Sequence, residues 1–165
     1  MTKETLLERI KTDHGYHEVI PMMNNKNVLR VYIDIDVIGG DPTAILTQSL
    51  EVLNAHFKTL DTDWAICSCN RAEGDKFKIS FHIMSTKYSM QLNNMRELAK
   101  QMPTLKMDES VYWFDINDHE DNGYMRLPNQ TKNSINKPAP PLEIIQGHLS
   151  DFLVTDTTGL TEFSV

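Results

Sequence analysis

Two segments of the chain alternate apolar and polar residues with a period of two, which predicts β-strands. Residues 28–37 are rich in β-branched and aromatic side chains and end before a Gly-Gly pair, and residues 77–84 alternate in the same way. Residues 64–70 are a third predicted strand. The polar turn at residues 71–75 would join this strand to residues 77–84 as a hairpin.

Apolar residues recur at the spacing of an α-helix in three further segments, residues 2–12, 42–60 and 88–102. The dipeptide Asp41-Pro42 is typical of a helix start, because proline is tolerated in the first turn. The methionines of the third segment are predicted to pack in the core. The order of helices and strands predicts an α+β fold, with helices on a mostly antiparallel sheet.

The pattern becomes irregular after Pro103, where five shorter stretches follow one another. They are a strand (residues 111–116), a polar insertion (117–123), a short strand or loop edge (124–129) and a proline-rich extended stretch (137–145). The last, residues 148–156, is expected to return to the core or pack on its edge.

The composition is that of a single globular domain without a membrane span. Of the 165 residues, 40% are hydrophobic and 24% are charged. No apolar run approaches the roughly 20 residues that a membrane span requires, and the charged N-terminus differs from a signal peptide. Cys67 and Cys69 lack the second ligand pair of a structural zinc site, so we expect reduced thiols in a cytosol-like compartment.

The net charge of −7 argues against a protein that coats nucleic acid, since phosphate binding normally requires a basic excess. It does not exclude an enzyme that contacts nucleic acid through bound cations and a few local basic residues.

Asp34 and Asp36 interrupt the most apolar predicted strand. Because successive side chains of a strand point to opposite faces, both carboxylates share one face and lie about 7 Å apart along the strand. Such a pair suits a hard divalent cation. The alternative is a half-exposed strand that happens to be acidic.

Lys78, Ser80 and His82 share one face of another predicted strand. Histidine can ligate a metal, act as a base or donate to phosphate, although a structural histidine is the common alternative. Further on, Arg126 and Lys132 are candidate phosphate ligands, the first as a bidentate fork and the second as a point charge, or are merely surface residues.

Taken together, these residues resemble the archaeo-eukaryotic primase superfamily, and in particular the primase domain of the primase–helicases of large DNA viruses of the poxvirus-like type. The resemblance runs from about residue 28 to residue 154. It is carried by VYIDID, SCNR followed by KISFHIM, MDESVY and YMRLPNQTK, in that order.

The resemblance implies an RRM-like, mostly antiparallel catalytic sheet flanked by helices, within one primase domain. Residues 1–27 would be an N-terminal helix and loop, residues 28–154 the catalytic core and residues 155–165 a C-terminal tail. It also implies a location in the cytoplasm or a host-cell replication compartment, without secretion.

The resemblance also assigns site residues. Asp34, Asp36 and Asp108 would hold two Mg²⁺ or Mn²⁺ ions, with Asp115 as a rival for the third position. His82, with Ser80 beside it, would contact the phosphates of the incoming nucleotide. Arg126 and Lys132 would also bind phosphate, and Arg71 is a weaker candidate for the triphosphate.

The implied activity is that of a DNA primase, which synthesises short primers from nucleoside triphosphates on a single-stranded DNA template, with a helicase domain or partner. Two other functions stay open. One is a metal-dependent nuclease or replication initiator, and the other is a non-catalytic RRM-like nucleic-acid-binding module.

Overall fold

The computed structural model describes residues 2–11, 17–21, 27–101, 122–130 and 141–164. These ranges contain three α-helices, two 3-10 helices and eight strands. The α-helices are α1 (Lys3–Arg9), α2 (Pro42–Phe57) and α3 (Leu92–Gln101), and the 3-10 helices are Asp61–Asp63 and Leu149–Phe152. The strands are β1 (His17–Pro21), β2 (Val28–Ile38), β3 (Trp64–Ser68), β4 (Arg71–Glu73), β5 (Lys76–Gln91), β6 (Asn122–Arg126), β7 (Glu143–Gln146) and β8 (Thr161–Glu162). None of the described helices is long and apolar enough to cross a membrane.

The main sheet is organised around β5, which pairs with β2, β3, β4 and β8. β2 and β3 both run antiparallel to β5, so α2 connects two mutually parallel strands that have β5 between them. β7 pairs with β3 and β4 with β5, both antiparallel, whereas β8 runs parallel to β5. β1 and β6 form a separate antiparallel pair. The predicted α+β class and mostly antiparallel sheet are confirmed.

Alternation along β2 and β5 produces one continuous apolar face. The side chains on this face are almost completely buried because they pack in the same cluster as α2 and α3. They are Ile33, Ile35, Val37, Ile79, Phe81 and Ile83 from the strands, with Leu50, Leu53, Phe57, Leu92, Met95 and Leu98 from the helices. Met90 and Met95 are therefore core residues as predicted, and Met102 lies outside the described residues.

α2 starts directly after β2 because the sequence supplies both a cap and a turn. The Asp41 side chain accepts a hydrogen bond from the Thr43 backbone N–H at 3.2 Å, and Pro42 occupies the first turn. Gly40, with φ +97°, reverses the chain between the strand and the helix.

Two predicted element boundaries are wrong. Residues 88–91 do not begin a helix but continue β5, because they pair with the start of β2 and with β8. Residues 71–73 are not turn residues but form β4, which leaves only residues 74 and 75 as the hairpin turn.

The C-terminal part of the described chain returns to the body of the domain, as predicted. Phe152 and Val154 are buried in the main cluster, and Leu153 packs in a second cluster with Ile10 and Leu127. Within the segment that the sequence designates a tail, β8 adds to the main sheet beside Tyr88, and the Phe163 ring packs on Tyr88 with a centroid separation of 5.2 Å.

Arg30 ties this C-terminal segment to β2. Its side chain is 4% exposed. Its Nε donates to Leu153 O at 3.2 Å, Nη1 to Ser85 O at 2.8 Å and Nη2 to Asp156 O at 3.0 Å. The register of β2 on β5 shifts between Arg30 and Tyr32, and the guanidinium supplies a donor to Ser85 O on β5 at this irregularity. No local sequence pattern predicts this role of Arg30.

The environment of His56 makes stability depend on pH. Burial lowers the pKa of His56 from its ordinary value of 6.5, and its ring packs edge-on against Phe57 at 4.8 Å. The unfolded chain therefore takes up this proton at a higher pH than the folded one, so stability falls as the pH drops below about 6.5. The free energy of unfolding can be measured by urea titration at about pH 5 and at about pH 8. We expect it to differ less between these two pH values in His56→Leu than in the wild type. An equal difference in both proteins would contradict this assignment.

Candidate metal and nucleotide site

Asp34 and Asp36 lie on the face of β2 opposite the core residues Ile33, Ile35 and Val37. Their side chains are 23% and 42% exposed, respectively. The apolar residues fix the strand in the core, so that both carboxylates are presented on the other face without full burial. Asp36 thus keeps substantial contact with solvent, whereas Asp34 Oδ1 is buried beside His82.

β5 places His82 directly opposite Asp34 and Ser80 directly opposite Asp36. The Ser80 hydroxyl donates to Asp36 Oδ1 at 2.9 Å. His82 Nε2 lies 3.4 Å from Asp34 Oδ1. The two short motifs, D-x-D and S-x-H, are thus paired residue by residue across adjacent antiparallel strands.

Lys78 extends this group toward the end of the sheet. Its Nζ lies 3.6 Å from Asp36 Oδ1, so Asp36 has both a hydroxyl and an ammonium beside the same oxygen. Arg71 on β4 is the cross-strand partner of Lys78, and its Nη1 donates to Cys69 O at 3.0 Å. The described site therefore combines two carboxylates with two cations on one face.

The His82 side chain is 9% exposed, and its Nδ1 is buried without a hydrogen-bond partner. A buried polar atom without a partner is uncommon and costs free energy unless a ligand or a rearrangement satisfies it. Cys67 lies opposite His82 on the other neighbouring strand, and like Cys69 it is buried and forms no disulfide.

The backbone N–H and the backbone carbonyl of Ser80 are both hydrogen-bonded to residues that follow β3. Its N–H donates to the Asn70 side chain at 2.9 Å, and its carbonyl accepts from the Cys69 N–H at 2.9 Å. The short connection after β3 thus fixes the first residue of the S-x-H motif.

Three of the remaining predicted site residues lie outside the described residues, and the fourth, Arg126, lies on a strand of another sheet. Asp108, its rival Asp115, and Lys132 lie outside the described residues. Arg126 ends β6 and pairs with His17 of β1, in the separate two-stranded sheet. The side chains that the structure does bring together are Asp34, Asp36, Ser80 and His82, with Arg71 and Lys78 at the same end of the sheet.

The described residues fit part of a divalent-metal site. Within residues 2–11, 17–21, 27–101, 122–130 and 141–164, no three His, Cys, Asp or Glu side chains form a group that could hold a metal ion. The two carboxylates are nevertheless the hard oxygen donors that Mg²⁺ and Mn²⁺ prefer, and such ions keep several water ligands. Asp34 and Asp36 can therefore supply two ligands of such an ion.

Lys78 belongs to this group, although no site role was predicted for it. The alternation of KISFH places Lys78 on the same face as Ser80 and His82, which is visible in the sequence. Its ion pair with Asp36 depends on the register of β2 on β5, which no local pattern specifies.

Comparison with protein-family models and with curated proteins found no match for this chain.

Proposed function

We propose that this chain is a DNA primase catalytic domain of the archaeo-eukaryotic type, which joins nucleotides on a single-stranded template with the help of divalent metal ions. The observation that carries the proposal is the pairing of Asp34 with His82 and of Asp36 with Ser80 across β2 and β5. A carboxylate pair beside a histidine and a lysine is suited to a metal-bound triphosphate.

Asp34 and Asp36, together with Asp108, would hold Mg²⁺ or Mn²⁺. Bound ions of this kind lower the pKa of an attacking hydroxyl and offset charge on the leaving oxygens. Ser80 contributes by orienting Asp36, since its hydroxyl donates to Oδ1 at 2.9 Å. Positioning and electrostatic stabilisation then account for most of the catalysis, without a side-chain nucleophile.

Lys78, Arg71 and His82 would receive the phosphates of the incoming nucleotide. Lys78 Nζ is 3.6 Å from Asp36 Oδ1, so a phosphate at this point would contact the ammonium next to the metal ligand. A phosphate oxygen is also a suitable acceptor for a ring N–H of His82. Arg126 and Lys132 would add cations from the later part of the chain.

The topology around β5 supports the RRM-like part of the proposal. Two parallel strands joined by a helix, with an antiparallel strand between them, form the split β-α-β unit of ferredoxin-like and RRM-type sheets. The fourth strand departs from that plan, because β7 pairs with β3 rather than with β2.

The decisive experiment is synthesis on a single-stranded DNA template with labelled ribo- or deoxynucleotides and either Mg²⁺ or Mn²⁺. We expect short products on a denaturing gel that require the template, the nucleotides and one of the ions. A folded chain that makes no product with either ion would overturn the proposal.

The same assay separates the two other functions. Cleavage of the labelled template without nucleotides would identify a nuclease. Template binding with neither synthesis nor cleavage, and with no heat of binding for Mn²⁺ and a nucleoside triphosphate, would identify a non-catalytic module.

A further inference from the structure

The connection from β3 to β4 keeps the register that both strands have on β5. The last residue pair of β3 with β5 and the first pair of β4 with β5 are separated by two residues on each side. Cys69 and Asn70 thus lie opposite Ser80 and Ile79, respectively, without an inserted residue. In a regular antiparallel ladder, Cys69 and Ser80 would exchange two hydrogen bonds, one from each N–H to the carbonyl of the other residue.

In this structure, one of these two bonds is made by the backbone and the other by a side chain. The Cys69 N–H donates to Ser80 O at 2.9 Å, but the Ser80 N–H donates to Asn70 Oδ1, also at 2.9 Å. The Cys69 carbonyl accepts instead from Arg71 Nη1 at 3.0 Å. The Asn70 side chain therefore takes the place of a backbone acceptor, and the carbonyl that it replaces holds the guanidinium.

The anchored guanidinium lies directly opposite a second cation. Arg71 is the cross-strand partner of Lys78, and like charges directly opposite each other destabilise a sheet. Lys78 Nζ is 3.6 Å from Asp36 Oδ1, which offsets part of this repulsion. A phosphate that accepts from both cations would offset it further, because charge-assisted hydrogen bonds to phosphate are strong. Two cations kept together in this way are suited to an anionic ligand.

We propose that Asn70 is a positioning residue for the triphosphate of the incoming nucleotide, and that it acts through Arg71. Because Asn70 accepts the Ser80 N–H, the Cys69 carbonyl is left to fix the guanidinium beside Lys78. The inference deepens the proposed function and rests on it in one respect, namely that the bound anion is a nucleoside triphosphate.

Asn70→Ala removes the side-chain acceptor while an alternative acceptor lies in register. A part-buried N–H without an acceptor is costly, so we expect the Ser80 N–H to return to the Cys69 carbonyl, as in a regular ladder. The fold is then retained, but Arg71 loses the acceptor that fixes it. We expect triphosphate affinity to fall about 3- to 10-fold, the value of one hydrogen bond.

The test is a calorimetric titration of ATP into the full chain, with Mn²⁺ and without template. Arg71→Ala is expected to weaken ATP binding about 10-fold or more, since it removes a charged donor. In the Asn70→Ala/Arg71→Ala double variant, we expect the loss to equal that of Arg71→Ala, because Asn70 acts through Arg71. A merely structural role of Asn70 would weaken binding equally in both backgrounds.

Two controls separate positioning from general destabilisation. Asn70→Ser keeps a shorter, uncharged side-chain acceptor and should bind ATP more tightly than Asn70→Ala. Asn54 lies on α2, which packs on the other face of the sheet, and its Oδ1 accepts from Trp64 Nε1 at 2.9 Å. Asn54→Ala should therefore lower the free energy of unfolding, measured by urea titration, without changing ATP affinity.

Three results would overturn the inference. They are wild-type ATP affinity in Asn70→Ala, an equal loss from this substitution in the wild-type and Arg71→Ala backgrounds, and absence of ATP binding by the wild type.

The outcome is distinguishable from failure of the proposed function. If Asn70→Ala binds ATP like the wild type while the wild type makes primers, the role of Asn70 is wrong and the primase proposal stands. If ATP binding changes as expected but the wild type makes no primers with either ion, Asn70 positions a nucleotide site and the catalytic proposal fails.

Discussion

The double substitution Asp34→Asn/Asp36→Asn is expected to lower primer synthesis by at least about 10³-fold, while the protein remains folded. Removal of one preorganised electrostatic group from an active site typically costs about 10² to 10³ in rate, and this change removes two proposed metal ligands at once. The fold should persist because both side chains lie on the partly exposed face of β2 and outside the core. Synthesis is measured with Mg²⁺ and with Mn²⁺, and folding by circular dichroism.

A matched control changes the net charge by the same amount elsewhere. Glu51→Gln/Glu143→Gln neutralises two exposed carboxylates on α2 and β7, and we expect it to synthesise primers at nearly the wild-type rate. Addition of Mn²⁺ should raise the melting temperature of the wild type and of this control, but not that of Asp34→Asn/Asp36→Asn. A double aspartate variant that keeps full activity would show that the pair is only an acidic stretch of strand.

Arg30→Met is expected to destabilise the protein by about 1 to 3 kcal/mol, the range for buried acceptors left without their donor. The guanidinium donates to the carbonyls of Leu153, Ser85 and Asp156. Methionine fills a similar volume but offers no donor, so these carbonyls lose their charged partner. The free energy of unfolding is measured by urea titration at neutral pH.

Arg9→Met provides the comparison, since Arg9 is exposed on α1 and the substitution is chemically identical. Its effect is expected to be within about 0.5 kcal/mol, as is usual for a surface position. A loss of less than about 1 kcal/mol in Arg30→Met would show that the C-terminal segment is held by its apolar contacts alone. Arg30→Lys should be intermediate, because one ammonium cannot replace a planar fork that reaches separate acceptors.

Much of the fold is predictable from local pattern, because the elements of the core have strong periodicity. Asp41-Pro42 and the following apolar repeat predict α2, and alternation predicts β2 and most of β5. The pattern fails at residues 88–91, where Tyr88 and Met90 fit the apolar spacing of the helix that follows. There, pairing with Val28–Arg30 and with β8 extends the strand, and these partners are distant in sequence. Tertiary pairing overrides local propensity at this point.

The candidate site is predictable only in part, and for a related reason. A period of two shows that Asp34 and Asp36 share a face, and that Lys78, Ser80 and His82 share another. It does not show that the two faces are the same side of one sheet, nor that Asp34 meets His82. A slip of one residue would turn His82 toward the core. The register of β2 on β5, and not either motif, therefore decides whether Asp34 lies opposite His82. The choice of Asp108 rather than Asp115 as the third carboxylate stays a prediction.

The central position of β5 has a consequence for how the protein folds. Among the described strands, every pairing in the main sheet except β3–β7 includes β5. A chain that ends at residue 75 therefore contains β2 and β3 but lacks β5, the strand that lies between them. The edges of β2 and β3 that pair with β5 then have no partner. We expect a fragment that ends at residue 75 to be unfolded and prone to aggregate. The carboxylates of β2 and the histidine of β5 are then assembled in the same step that closes the sheet, so the site exists only in the completed domain.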